Sequence, residues 1–211
     1  MTNPVPAKQS LLACIEDLET HYGKALERSL YKELDYISEH YAAFIRATPF
    51  VVLATSGPGG LDCSPRGDPA GFLRIIDKNT IHLPDRRGNN RIDTLRNLVV
   101  DPRISLLCII PGIGETLRII GSVKISIDSD LCELHAMQGK AAKSVLVIDV
   151  EKVYFQCQKA LHRSGIWDMD TQIDRALLPS AGDMTKANSP EPFDAEAYDR
   201  DYPEYMKKTI Y

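Results

Sequence analysis

The rhythm of hydrophobic and polar positions changes along this chain. Leu11, Leu12, Ile15 and Leu18 recur at helical spacing after Ser10, a candidate cap, with Tyr22 one turn later, which predicts an amphipathic helix. A second helix is predicted over Leu34 to Ala47, with Ile37, Tyr41, Phe44 and Ile45 on one face and Pro49 as its stop. From Phe50 the period shortens. FVVLAT (Phe50 to Thr55) is a β-branched run closed by the turn signal SGPGG, and LDCSPR follows as a partner strand. GFLRII (Gly71 to Ile76) and NTIHLP (Asn79 to Pro84) flank a hairpin turn at Asp77-Lys78-Asn79. RISLLCII (Arg103 to Ile110) reads as a buried strand, and PGIGE turns the chain into TLRIIGSVKISI (Thr116 to Ile127). SVLVIDVEKVYFQC (Ser144 to Cys157) is the last long strand region, and its spacing admits a break. Six or seven strands with mostly hairpin-length turns predict an antiparallel sheet closed into a barrel rather than βαβ units. Two helices interrupt it. One starts near Asn90 with Ile92, Leu95, Leu98 and Val99 on one face and stops at Asp101-Pro102; the other runs from about Ser129 to Gly139, capped by Asp128 or Ser129. Leu178 to Tyr211, rich in Pro, Asp and Tyr, reads as a partly ordered arm.

Composition narrows the class. A chain of 211 residues suits one domain with appendages, or two small ones, and buries a sizeable core without crosslinks. A net charge of -4 argues against general nucleic-acid binding but leaves room for a local basic pocket. No apolar run reaches membrane-spanning length and no secretory core opens the chain, so the expected location is the cytoplasm. The cysteines, Cys14, Cys63, Cys108, Cys132 and Cys157, show neither CxxC nor zinc-finger spacing. A structural role is expected of each, most clearly of Cys108 within its apolar run. Free thiols in an intracellular chain also set aside an adhesion role for Arg66-Gly67-Asp68.

The glycine clusters complete neither GxGxxG nor a P-loop, since Asp62 and Leu117 occupy the last positions. More informative is LPDRRGNNRIDTLRN, where Arg86, Arg87 and Arg91 cluster around Gly88-Asn89-Asn90 ahead of a helix start, a setting suited to an anion. Arg74 alternates with Phe72 and Ile76, and Arg118 sits inside TLRIIGS. A charge on an apolar strand face calls for a partner or a ligand. Arg66 and Asp68 read as a pair. Together these arginines predict a focused anion pocket inside a barrel. QKALHRSGIWD carries Lys159, His162, Arg163 and the single tryptophan, Trp167, for which core packing is the favoured reading. His21, His40, His82 and His135 show no metal-ligand spacing, and no Ser-His-Asp arrangement is evident.

The segment from FVVLATSGPGGLDCSPRGDPAGF through LPDRRGNNR, DPRISLL and ETLRIIGSV resembles the pyridoxamine 5'-phosphate oxidase-like FMN-binding split barrels, in particular the branch of probable FMN-dependent proteins with a Ser-Pro-Arg-Gly-Asp signature. The similarity extends to KSVLVIDVEKVYFQCQKALHRSGIWD and covers the chain from about residue 10 onward. The resemblance implies a six-stranded antiparallel split barrel with flanking helices, and a homodimer with FMN at its interface. It divides the chain into N-terminal helices packing on the barrel (1–48), the FMN-binding domain (49–168) and a C-terminal extension (169–211). It places the flavin phosphate on Arg66, Arg74, Asn89, Asn90 and Arg91, with Asp68 and Arg118 nearby, and the flavin ring against Leu83-Pro84-Asp85. Thr116 stands where oxidase members carry a glutamine. Lys140 and Lys143 reach in from the other subunit, and Arg163 and Trp167 lie in the stretch approaching the ring. The implied function is an FMN-dependent oxidoreductase, beside a flavin carrier or redox sensor and a haem-handling protein, for which His162 is the one candidate axial ligand. A deazaflavin would fit the same phosphate site. The Arg-x-His element that grips pyridoxamine phosphate is replaced by His162-Arg163-Ser164, and the Arg-Lys pair on the FMN phosphate by Asn89-Asn90.

Overall fold

The computed structural model describes residues 11–211, so the expected cap Ser10 lies outside the described residues. The chain divides into two units after Glu33. The first carries α1 (Ile15–Tyr22), ended by Gly23 at φ 74°, and α2 (Glu27–Leu30), and neither helix buries a residue. The apolar stripe predicted for α1 is therefore exposed at Leu11, Leu12, Ile15, Leu18 and Tyr22.

The second unit begins with Leu34 bridged to Val153, and only from Ser38 does the chain turn helical. The Ser38 hydroxyl accepts from the Tyr41 amide, starting α3 (Glu39–Ala47) five residues later than the apolar spacing predicts. Seven strands follow: β1 (Phe50–Gly57), β2 (Gly60–Gly67), β3 (Arg74–Ile75), β4 (Thr80–Asp85), β5 (Arg103–Ile109), β6 (Thr116–Ser126) and β7 (Ser144–Gln156). All ladders are antiparallel, in the order β2-β1-β5-β6-β7-β4-β3. No ladder joins β2 to β3 among the described residues, so the sheet is mainly antiparallel and open, with seven strands rather than six closed ones. Val51, Leu53, Ile81, Leu83, Leu106, Ile119, Leu146 and Ile148 are fully enclosed and make the core. Each such side chain contributes about 1.5–3 kcal/mol relative to an exposed one.

Two irregularities shape the sheet. The strand predicted over Gly71 to Ile76 shrinks to two residues, because Phe72 and Leu73 turn into the core and leave Arg74 exposed. In β7, Glu151 is skipped between the pairs Ile120–Lys152 and Gly121–Val150, a bulge that bends the strand without breaking it. A Cβ on Gly121 would stand 2.0 Å from the Asp149 carbonyl oxygen, so only glycine fits opposite the bulge.

The helix α4 (Asp93–Val100) starts three residues after its expected origin, since Asn90 and Ile92 take left-handed backbone conformations at φ 59° and 52°. Of the predicted apolar set, Leu98 is buried and Leu95 packs against the core, while Ile92 and Val99 are exposed and Thr94 and Asn97 complete the buried face. Asn97 Nδ2 donates to Gly60 O and Thr55 Oγ1, both at 3.2 Å, so a polar clamp joins the apolar packing there. Asp128 caps the short α5 (Ser129–Leu134). Beyond β7 lie α6 (Lys159–Ser164), α7 (Ala181–Asn188) and α8 (Ala195–Thr209), so the expected arm is mostly helical. Of the cysteines, Cys108 and Cys132 are buried as expected, whereas Cys14, Cys63 and Cys157 are exposed. No described helix is long and apolar enough to cross a membrane.

Candidate functional site

The Ser-Pro-Arg-Gly-Asp strand and the Arg-Arg-Gly-Asn-Asn loop, adjacent in neither sequence nor strand order, face each other across a cleft of about 630 Å³. β2 supplies Ser64 to Gly67, followed by Asp68; the end of β4 supplies Pro84 and Asp85. The loop Arg86 to Ile92 and the first turn of α4 close one side, Lys143 and Ser144 of the β7 start close another, and Ile210 and Tyr211 after α8 cover the mouth. Pro84 sits where β4 has outrun its pairing with β3, so its missing N–H costs no ladder bond.

The walls carry five cations, Arg66, Arg86, Arg87, Arg91 and Lys143, and four carboxylates, Asp62, Asp68, Asp85 and Asp93. The pairing decides where positive charge remains. Arg66 and Asp68 do not pair with each other. Arg66 Nε stands 3.5 Å from Asp85 Oδ1, and Asp68 Oδ2 accepts from Arg86 Nε at 2.7 Å. Arg86 also donates to His135 O and lies over the Tyr211 ring, 5.8 Å from its centroid. Tyr211 Oη donates to the other Asp68 oxygen at 2.8 Å, which raises the phenol's pKa. Lys140 Nζ reaches Tyr211 O at 2.7 Å. Tyr211, just past α8, is thus tied to the arginine-aspartate centre of the cleft by two contacts and to Lys140 by a third.

On the other wall, Thr94 Oγ1 donates a short hydrogen bond to Asp62, which with Ser64 and Arg66 lowers the Asp62 pKa. Arg91 pairs with Asp93 at the exposed rim. Arg87 has no ion partner among the described residues, and Lys143 Nζ donates to Asn90 Oδ1 at 2.9 Å rather than to an acid. The uncompensated charge therefore sits on Arg87 and Lys143, with Arg66 only loosely held. Burial raises the Asp85 pKa against the opposing pull of Arg66 and Lys143.

Of the residues expected from the sequence, Arg66, Asp68, Pro84, Asp85, Asn89, Asn90, Arg91 and Lys143 line this cleft. Lys140 touches it through Tyr211, while Leu83 is enclosed in the core just behind it. Arg74 is exposed beside His82, its cross-strand neighbour, because Phe72 does not share its strand. Thr116 is buried opposite Gln156, and Arg118 donates to Tyr154 Oη at 2.8 Å while lying over its ring, so its partner is internal. Arg163 is exposed on α6. Trp167 is half-buried, not in the core, and its Nε1 donates to Ile113 O at 2.9 Å, pinning the β5–β6 turn.

Sequence reasoning missed the carboxylate Asp62 as a wall residue, the cover by Tyr211, and a histidine pair. His82 Nδ1 and His135 Nε2 approach to 3.3 Å. Burial, together with Arg74, lowers the His82 pKa; burial, His82, Arg74 and Arg86 bring His135 to about 4. One sequence signal was available for Asp62: it falls two residues before Ser64 on the strand whose alternation also carries Arg66.

The model of the pyridoxamine 5'-phosphate oxidase family matches residues 37–157, which include all seven strands and most of the cleft. Among solved structures, the chain is similar to HupZ of Group A Streptococcus (18% identity over 56% of this chain and 91% of that one, TM-score 0.45). It is also similar to a putative pyridoxamine 5'-phosphate oxidase of Lactobacillus delbrueckii (16% identity, 58% and 98%, TM-score 0.47). A third is a Clostridium acetobutylicum protein related to general stress protein 26, of the pyridoxinephosphate oxidase family (13% identity, 56% and 86%, TM-score 0.44). No curated protein matches.

Proposed function

The chain belongs to the pyridoxamine 5'-phosphate oxidase family, and from that premise we propose that it is an FMN-binding flavoprotein that acts as an oxidoreductase on a small molecule in the cytoplasm. The observation that carries the reading is the cleft between the Ser-Pro-Arg-Gly-Asp strand and the Arg-Arg-Gly-Asn-Asn loop, with Arg87 and Lys143 uncompensated in its wall. The donor set fits a phosphorylated flavin. Arg66, Arg91 and Lys143 offer charge-assisted bonds to a phosphate, Asn89 and Asn90 add neutral amides, and the volume is that of a cofactor site.

Bound FMN would supply the electron transfer itself. The chain's own residues bind, orient and shield. Arg66, Arg91 and Lys143 hold the phosphate. The Asp68–Arg86 pair fixes the backbone beside Arg66. Pro84 offers an apolar edge for the ring, and Tyr211 keeps water from the mouth. The open sheet is taken as the split barrel of this family, and a second copy of the chain completes the ring-side enclosure in a homodimer. The lack of an Arg-x-His element after β7 points to a substrate other than pyridoxamine phosphate.

The test is an absorption spectrum of the purified protein, with mass identification of what heat releases. The expected result is a two-band flavin spectrum, FMN in the supernatant, and bleaching by NAD(P)H that air reverses. Flavin bands that no reductant bleaches would make the protein a carrier. A Soret band, or a colourless protein that takes up no added FMN, would overturn the flavin reading.

A further inference from the structure

At the floor of the cleft the polar pattern changes. Ser144, the first residue of β7, lines the cleft with only 6% of its surface exposed, and its Oγ has no hydrogen-bond partner among the described residues. Buried hydroxyls are rarely left so, and an orphan that lines a cavity marks the place of a missing partner. Directly across the ladder stands Asp85, paired in register with Ser144, so the two side chains rise on the same face. The Asp85 carboxylate is largely withdrawn from solvent, and Arg66 approaches one of its oxygens only to 3.5 Å. A spare buried hydroxyl thus stands beside a half-buried carboxylate whose one charged partner leaves it acceptor capacity.

These groups do not suit the anion that the rim attracts. A phosphate beside Asp85 would meet a partly buried carboxylate, where like charges repel more than in water. A hydroxyl or imide group of the ligand suits them: it can donate to Asp85 and accept from Ser144, meeting both needs without adding charge. The rim and the floor therefore read different parts of one molecule.

We propose that Ser144 and Asp85 form a hydrogen-bonding subsite for a neutral donor-acceptor group of the flavin, in its polyol chain or ring imide, while Arg91 and Lys143 read the phosphate. This rests on the flavin reading above. The division makes Ser144 a specificity-determining residue, one that favours flavins over phosphorylated ligands that lack such a group.

The test is calorimetric titration of the full-length protein, wild type and Ser144→Ala, with FMN, riboflavin and inorganic phosphate as separate probes. Loss of one neutral hydrogen bond predicts that Ser144→Ala weakens FMN and riboflavin by the same factor, about fivefold to tenfold, and leaves phosphate unchanged. Asp85→Asn, which keeps the shape and one acceptor, is expected to shift both flavins in parallel as well. Lys143→Gln is expected to weaken FMN and phosphate but not riboflavin. If Ser144→Ala loses phosphate as it loses FMN, the floor is part of the anion site and the proposal fails. Unchanged flavin affinity in Ser144→Ala also overturns it, leaving the flavin reading intact. A wild-type protein that binds phosphate but neither flavin would overturn both.

Discussion

Two arginine sites on one sheet show how differently a strand cation is answered. Arg118 interrupts the apolar run of β6, and Arg66 lies on β2, whose sequence GLDCSPRG is largely polar. Arg118 is answered from within: Tyr154, across the ladder, accepts its hydrogen bond and offers its ring. Arg66 faces a carboxylate at 3.5 Å and a cleft whose other cations are only partly matched. The first arrangement is complete without a ligand, while the second leaves charge to spare. What distinguishes a structural cation from a binding one is the state of its neighbours, and those neighbours come from other strands.

The contrast can be broken most severely at Arg86. Its partner Asp68 keeps 2% of its side chain exposed, so Arg86→Ala strands a buried carboxylate. A loss of about 3–5 kcal/mol in urea unfolding is expected, with Arg86→Lys recovering only part of it because the paired contacts to Asp68 and His135 O need the guanidinium fork. Acid provides a second, weaker way to loosen the same wall. The histidines behind Arg86 are held below their ordinary pKa of 6.5, His135 at about 4, so the unfolded chain takes up protons before the folded one does. Their stabilising contribution is complete above the unfolded value. It is lost as pH falls through the window between 6.5 and about 4, a slope on the order of 3 kcal/mol if His135 acts alone. Unfolding midpoints measured across that range should fall steeply in the wild type and less in His135→Gln.

On the other side of the comparison, Arg118→Ala removes one hydrogen bond and one cation–π contact, about 1–2 kcal/mol of stability, and should leave flavin affinity unchanged. Smallest in stability, and sharpest as a contrast, is Arg91→Gln. Its side chain stands at the rim, 80% exposed, so the unfolding midpoint should not move while FMN titration shows affinity several-fold weaker.

Much of this was legible in the chain. Alternating β-branched runs marked β1, β5, β6 and β7 because a half-buried strand needs that period, and Ser-Pro-Arg-Gly-Asp with Arg-Arg-Gly-Asn-Asn marked both lips of the cleft. What stayed hidden depends on distance along the chain. Tyr211 meets Asp68 across 143 positions and His82 meets His135 across 53, and no local period encodes either encounter. The helix start was misplaced for a different reason: Ile92 adopts a conformation that β-branched residues avoid, so local preference pointed the wrong way at a residue lining the cleft.

The bulge at Glu151 has a consequence best put as parity. Before it, even-numbered residues of β7 turn inward, Ser144, Leu146, Ile148 and Val150; after it the inward residue is Val153, an odd number. A strand counts in twos, and Glu151 is the residue that changes the count. Deleting it would leave Val150 and Val153 two positions apart, so both ends would keep their phase in a regular ladder and what would be lost is the bend opposite Gly121. A point substitution at the same exposed position should pass almost unnoticed.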